Sequence, residues 1–194
     1  MGRMRNLLEN ALGKNPIISA IHSLQDAKDA AASSVEIGIL LGGRIPELRH
    51  AVQIMRDKGK KAFVHLDLAG GLKKDEEAVQ LLATLVKPDG IMTTKSSLIR
   101  TIRELGLVAG QRCFILDTQS YQVAVKTARA CQPDFVELMP GLMPTVVTNF
   151  CRDTEFRVVA GGLVTSVFEA QQVFAAGASG ISTSSKSLWN IHVN

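Results

Sequence analysis

Short runs of consecutive apolar residues recur along this chain, each followed by a polar or glycine-rich turn and then by a stretch whose apolar positions return at helical spacing. The runs are 16–21, 35–41, 61–68, 87–92, 112–117, 132–137, 156–160 and 177–181, with strand starts near residues 17, 35, 61, 90, 112, 135, 157 and 180. Unbroken apolar runs suit parallel strands covered by helices on both faces. The helix signals agree with that alternation. Ser23 precedes one helical segment, Pro46-Glu47 opens another that reaches about Lys58 before Gly59, and Asp75-Glu76-Glu77 occupies the first turn of a third, ending near Val86. Further helices are expected over about 96–105 and 120–130, and Leu7, Leu8, Ala11 and Leu12 mark a leading helix, ending near Gly13, that lids the bottom of the fold. Eight strand–helix units in 194 residues predict one domain, residues 1–194, folded as a compact TIM-type (β/α)8 barrel of the α/β class with room for one degenerate unit. An open doubly wound sheet is the alternative.

Two of the turns stand out chemically. Phe156-Arg-Val-Val-Ala-Gly-Gly162 and Gly177-Ala-Ser-Gly-Ile-Ser-Thr-Ser-Ser-Lys186 each read as a buried strand running into glycines or small hydroxyl residues, giving turns near 160–163 and 182–186. Gly161 and Gly162 let backbone approach a ligand closely, while Ser182, Thr183, Ser184 and Ser185 offer hydroxyls and N–H groups at the expected start of a last helix. In eight-stranded barrels the turns after the seventh and eighth strands form a phosphate site. A second internal pattern is structural: Lys87-Pro-Asp89 and Gln132-Pro-Asp134 share an entry into a strand 45 residues apart.

Composition narrows the class without naming a function. Hydrophobic residues make up 46% of the chain and aromatic residues 5%, so the core must be built from aliphatic side chains. No apolar run is long enough to cross a bilayer, and the N-terminus lacks a signal-peptide core, which points to a cytoplasmic protein with no membrane partner. Cys113, Cys131 and Cys151 are odd in number and outside metal-ligand spacing, so neither a disulfide framework nor a metal site is expected. The net charge of +4 is compatible with RNA, DNA or an anionic metabolite and selects none of them.

If the barrel forms, polar residues at the strand ends converge on one mouth: His22, Arg44, His65, Asp67, Thr93, Thr94, Lys95, Asp117, Thr118, Glu137 and Lys186. Carboxylates for hydroxyls beside a phosphate cradle suit a small polyol or sugar phosphate. Each residue also has a plainer role available. His65 could face the helices, Asp67 and Asp117 could cap the following turns, Lys95 could be a solvated loop lysine, and His50 and His192 read as surface residues. Trp189 reads as packing the last helix onto the barrel.

Taken together, Gly59-Lys-Lys-Ala-Phe-Val-His-Leu-Asp-Leu68, Lys87-Pro-Asp-Gly-Ile-Met-Thr-Thr94, Phe114-Ile-Leu-Asp-Thr118, Gln132-Pro-Asp-Phe-Val-Glu-Leu-Met-Pro-Gly141, Ala160-Gly-Gly162 and Gly177-Ala-Ser-Gly-Ile-Ser-Thr-Ser-Ser185 with Leu188-Trp189 resemble the glycerol uptake operon antiterminator regulatory proteins, the GlpP family. The resemblance runs through essentially the whole chain. It implies a regulator that binds glycerol 3-phosphate and acts on the leader mRNA of glycerol-utilisation genes, with no catalytic residues and no cofactor. Carried onto this sequence, it assigns the phosphate to Gly161, Gly162, Ser182, Thr183, Ser184 and Ser185. Asp67, Asp117 and Glu137 become candidates for the glycerol hydroxyls, with Lys95 and His22 in support. No RNA surface follows from it: the basic candidates Lys58, Lys60, Lys61, Lys73, Lys74, Arg100 and Arg103 are scattered, without interleaved aromatics, and self-association is left open. The rival reading is a barrel enzyme acting on a small phosphorylated substrate, with Asp67 or Glu137 as base and Lys95 as amine. A third is a barrel serving only as an interaction scaffold.

Overall fold

The computed structural model describes residues 2–191, with side chains from Asn6 onward; His192 lies outside them. Helices and strands alternate in the order α1 (Gly2–Lys14), β1 (Ile17–Ile21), α2 (Leu24–Ala32), β2 (Ile37–Leu40), α3 (Ile45–Asp57), β3 (Lys61–His65), α4 (Glu76–Leu81) and β4 (Gly90–Thr93). The second half continues with α5 (Ile99–Glu104), β5 (Val108–Phe114), α6 (Thr118–Cys131), β6 (Phe135–Met139), α7 (Pro144–Asp153), β7 (Arg157–Gly161), α8 (Val167–Ala175) and β8 (Gly180–Thr183). All neighbouring strands are parallel, and β8 returns to β1 with Ile17 opposite Ile181, closing the sheet into an eight-stranded (β/α) barrel whose eighth unit is the degenerate one, its strand followed by a 3₁₀ turn in place of an α-helix.

The strand period of two divides the core. One set of side chains, including Ile17, Ala62, Val64, Ile91, Ala109, Val136, Val158 and Ile181, packs outward against the helices. The other set fills the barrel: Ile18, Ile37, Ile39, Phe63, Met92, Val108, Phe135 and Val159 join Leu8, Ala11 and Leu12 of α1, which stopper the lower end as the leading helix was expected to. Phe63 and Phe135 stack across this interior with centroids 6.0 Å apart. Two glycines make room for them. A Cβ on Gly90 would lie 2.8 Å from the Phe63 ring, and one on Gly110 would lie 2.3 Å from that of Phe135.

That second glycine explains a correction. The fifth strand was expected from residue 112, but it begins at Val108. Gly106 and Gly110 make 106–111 look like a turn, yet only Gly106 turns; Gly110 sits mid-strand because Phe135 occupies its side-chain space. Other boundaries shift as well. The leading helix runs through Gly13 to Lys14, the segment after Asp75 is α4 followed by a π-turn at Leu82–Val86, and the segment from Ser96 starts with a 3₁₀ turn before α5. The expected last helix is a single 3₁₀ turn, Lys186–Leu188. Trp189 behind it is 1% exposed and donates its indole N–H to Thr183 O at 2.9 Å.

The 45-residue repeat has a physical content that extends to a third copy. Lys87, Gln132 and Gly177 all adopt left-handed backbone, with φ of 56°, 55° and 101°. Two residues later Asp89, Asp134 and Ser179 donate backbone N–H to Ala62 O, Ala109 O and Val158 O, so each junction hooks an even-numbered strand onto the strand before it. In the first two copies the aspartate carboxylate also accepts the return bond, from the N–H of Ala62 and of Ala109. An arginine then clamps each turn from outside: Arg56 donates to Lys87 O and Arg103 to Gln132 O. The Pro-Asp pair is therefore a strand-entry latch.

Introducing a methyl group at Gly110 should disturb the aromatic stack. Gly110→Ala is expected to cost about 1–3 kcal/mol in urea unfolding, and the double variant with Phe135→Leu should lose measurably less than the sum of the two single changes.

Candidate functional site

Above the Phe63–Phe135 pair the interior becomes polar. Arg112 and Glu137 lie opposite each other in the β5–β6 register, and Gly161 and Ser182 do so in the β7–β8 register. Glu137 is fully buried. Its Oε2 accepts from Arg112 Nε and its Oε1 accepts from Ser182 Oγ at 2.5 Å. The absence of a side chain at Gly161 keeps this cluster possible, because a Cβ there would stand 2.6 Å from Glu137 Oε1 and 2.9 Å from Ser182 Oγ. A buried carboxylate stripped of its cation is strongly destabilising, so the four positions form one unit.

His65, on β3, belongs to the same interior. Its alternation with outward Ala62, Val64 and Leu66 settles the direction of its side chain, which is 2% exposed. Neither ring nitrogen has a hydrogen-bond partner; Nδ1 lies 3.5 Å from Asp67 Oδ2. Burial, then the charge of Arg112, pulls its pKa down to about 4, against a smaller opposing effect of Asp67. Asp67 looks the other way: its Oδ2 accepts the Thr94 N–H at 3.0 Å and its Oδ1 the Thr94 hydroxyl at 2.6 Å. Burial works to raise the Asp67 pKa, and the hydrogen bonds from Thr94 and Thr93 outweigh it and hold it low. Asp67 thus ties the end of β3 to the end of β4 over His65. Lys95 extends the same seam by donating to Lys74 O at 2.7 Å.

The turns after β7 and β8 do lie side by side. Thr183 Oγ1 donates to Val164 O at 2.7 Å, and Ser185 Oγ donates to Thr165 O at 3.3 Å. The arrangement differs from a helix N-terminus, however. Ser182 and Thr183 are the last residues of β8, buried, with their hydroxyls already engaged by Glu137 and Val164. Ser184 stands exposed at the rim. Gly162, at φ 75°, and Leu163, at φ 65°, turn the chain there in left-handed conformation, and a Cβ on Gly162 would meet Met139 Cε at 2.7 Å.

Other candidates sit apart from this centre. Asp117 is the N-cap of α6: its carboxylate accepts the Ser120 N–H at 2.7 Å, the first of the causes holding its pKa low. His22 is exposed in a cleft of ≈ 320 Å³ between the β1 and β2 turns, lined also by Gly42, Gly43 and Glu47. Lys186 leaves the mouth for α2, with its Nζ 2.6 Å from Asp26 and 2.7 Å from Asp29. Among the described residues no group of three or more His, Cys, Asp or Glu side chains is gathered as a metal site. No described helix is long and apolar enough to cross a membrane.

Residues 17–189, from the first strand to the tryptophan behind the last, match the family model described as glycerol-3-phosphate responsive antiterminator. The chain belongs to this family. A glycerol uptake operon antiterminator regulatory protein of Listeria monocytogenes is 33% identical, covering 92% of this chain and 96% of that one, with a TM-score of 0.87. A glycerol uptake operon antiterminator-related protein of Thermotoga maritima is 30% identical over 89% and 96% of the two chains, with a TM-score of 0.77. Escherichia coli (strain K12) has an uncharacterized relative, YgcP, 30% identical over 95% of this chain and 96% of that one. By family this antiterminator is a regulator and not an enzyme.

Within the antiterminator barrel, sequence reasoning missed Arg112, because the late strand start put it at a strand edge. Its signal was the two-residue step from Gly110, which keeps both on the inward face. His65 gives a pH test with a definite sign. It binds its proton near pH 4 when folded and near its ordinary 6.5 when unfolded, so between these values the unfolded chain holds more protons. Stability should be full above 6.5, fall by about 2–3 kcal/mol as pH drops to 4, and lose little more through this group below that. Urea titrations across this range should show a flattened pH dependence in His65→Leu; an unchanged slope would remove His65 as its source.

Proposed function

We propose that this antiterminator binds glycerol 3-phosphate at the upper end of its barrel and, so occupied, engages the leader mRNA of glycerol-utilisation genes to prevent premature termination. The observation that carries the reading is the family match across the entire barrel, both stapled turns included. The phosphate would rest on the turns at Gly161, Gly162 and Ser182–Ser185. With the Ser182, Thr183 and Ser185 hydroxyls engaged elsewhere, binding would fall to backbone N–H groups and to the Ser184 hydroxyl, or to Ser185 on release of its bond to Thr165 O. Glu137, Arg112 and the unpaired His65 ring are the groups nearest the interior for the glycerol hydroxyls, with Asp67 and Lys95 on the seam above them. Asp117, used as a cap, and His22, across the mouth, are the weaker assignments.

Regulation requires that the metabolite distinguish two states of the protein. Glycerol 3-phosphate would draw the turns after β2, β3 and β6 together around the mouth, and RNA would bind the ordered form better. Linkage then demands that RNA tighten glycerol 3-phosphate by the same factor.

Fluorescence anisotropy of a labelled glycerol-operon leader RNA, at fixed salt, tests this directly. Affinity should rise with glycerol 3-phosphate and not with glycerol or inorganic phosphate; equal affinity with and without the metabolite would sink the coupling. For the phosphate cradle, any side chain at Gly162 is confounded by its left-handed backbone, so the cleaner change is Ser184→Asp at the exposed rim. A like charge there should weaken glycerol 3-phosphate in calorimetry by at least about tenfold while leaving the unfolding midpoint of the free protein unaltered.

A further inference from the structure

Many basic side chains of this chain have an acid to answer them: Lys14 with Glu36, Lys61 with Asp89, Arg100 with Glu104, Arg152 with Asp153, Arg157 with Glu9, and Lys186 with Asp26 and Asp29. Other cations, including Arg44, Lys58, Lys74, Arg103 and Lys126, have no such partner among the described residues, and one flank of the barrel gathers Arg49, Arg56 and Lys87 of this unpaired set in a single groove. Along α3, Arg49, Gln53 and Arg56 are exposed at i, i+4 and i+7, on a single helix face. The π-turn and left-handed Lys87 form the facing wall of a groove of ≈ 360 Å³, whose lining includes Arg49, Gln53, Arg56, Thr84, Leu85 and Lys87 and no acidic residue. Neither acid of α3 serves these cations: Asp57 accepts from Gln53 Nε2 at 2.6 Å, and Glu47 accepts the Arg44 N–H at 2.8 Å. Arg56 joins the two walls through its bond of 2.5 Å to Lys87 O.

We propose that this groove is where the antiterminator holds the sugar–phosphate backbone of RNA. The inference rests on the RNA-binding reading above and supplies its contact surface. The three positions of the α3 face span about 10 Å at 1.5 Å per residue, room for successive phosphates of one strand. The Arg49 fork and the Lys87 ammonium take phosphate oxygens. Gln53 and Thr84 hydrogen-bond to sugar or phosphate, and Leu85, 48% exposed, gives the strand an apolar surface. Because α3 starts at the mouth, at the Gly43–Arg44 turn that also accepts the Gly70 N–H, one rigid helix connects the ligand end of the barrel to the groove.

The test is salt-dependent anisotropy with a labelled single-stranded RNA of mixed sequence, comparing the wild type, the double variant Arg49→Gln/Lys87→Gln, and Lys126→Gln on α6 as a control. Arg56 stays to hold the walls together, and glutamine already adopts the required left-handed backbone at Gln132. Each lost phosphate contact removes about 0.7 from the slope of log affinity against log salt, so the double variant should be shallower by about 1.4. It should also bind at least about tenfold more weakly at low salt, with its thermal shift by glycerol 3-phosphate unchanged and the control indistinguishable from the wild type. A wild type that binds RNA beside a double variant of equal slope and affinity, or a control that loses as much, overturns the groove and leaves the RNA reading standing. A wild type that binds no RNA at any salt, mixed-sequence or leader, overturns the RNA reading and the groove with it.

Discussion

A carboxylate shut away from water must find its hydrogen bonds among its neighbours, and Glu137 finds them at two points of the barrel wall, with a third left empty to admit them. Arg112 from β5 takes one oxygen, Ser182 from β8 takes the other, and Gly161 from β7 stays bare so that neither bond is displaced. Four adjacent strands are thereby held to one height and one register, since a one-residue slip in any of them would turn its partner outward. The polar ceiling in turn fixes what lies below it: the stacked Phe63 and Phe135, with Gly90 and Gly110 as the gaps that admit them. Fold and site are built from the same inward-facing positions in this barrel.

Around that rigid centre the upper rim is held more lightly. Asp67 is joined to Thr94, Lys95 to Lys74 O, and the β7 and β8 turns to each other by two hydroxyls, all of them at the surface except the buried bond from Thr183 to Val164 O. Bonds of this kind contribute on the order of 1 kcal/mol each, well below what releasing the Glu137 cluster would cost. A ligand bound at the mouth as proposed would meet seams that open cheaply above a floor that does not. His65 lies at the boundary between the two, buried yet unpaired, and is the place where the floor itself is incompletely satisfied.

The order of strands and helices was legible because parallel strands in a barrel are apolar on both faces and their turns carry glycine, proline or a capping residue. What escaped were glycines and short turns whose meaning is set by distant residues. Gly110 reads as a breaker until Phe135 is placed beside it, and residues 182–186 read as a helix start until Ser182 is seen to serve Glu137 and Trp189 to tuck under Thr183. Asp117 and Lys186 illustrate the other limit. Both sit at strand ends, but one caps α6 and the other reaches α2, and which neighbour a flexible charged side chain chooses depends on packing that a linear pattern does not contain. The Pro-Asp repeat was visible as letters; its third copy, Gly177 to Ser179, shares no letter with the others and only the hydrogen bond and the backbone turn.

The stopper at the lower end has a kinetic side. With Leu8, Ala11 and Leu12 of α1 wedged among the inner residues of the strands, the barrel is a cup and not a tube, and arrivals and departures share one opening. Whatever is held at that opening leaves only by the way it came, past the seams of the rim. With the metabolite held at the mouth as proposed, the lifetime of the occupied state, and so the memory kept of it after its concentration falls, would be set by the few hydrogen bonds of the rim and not by the core.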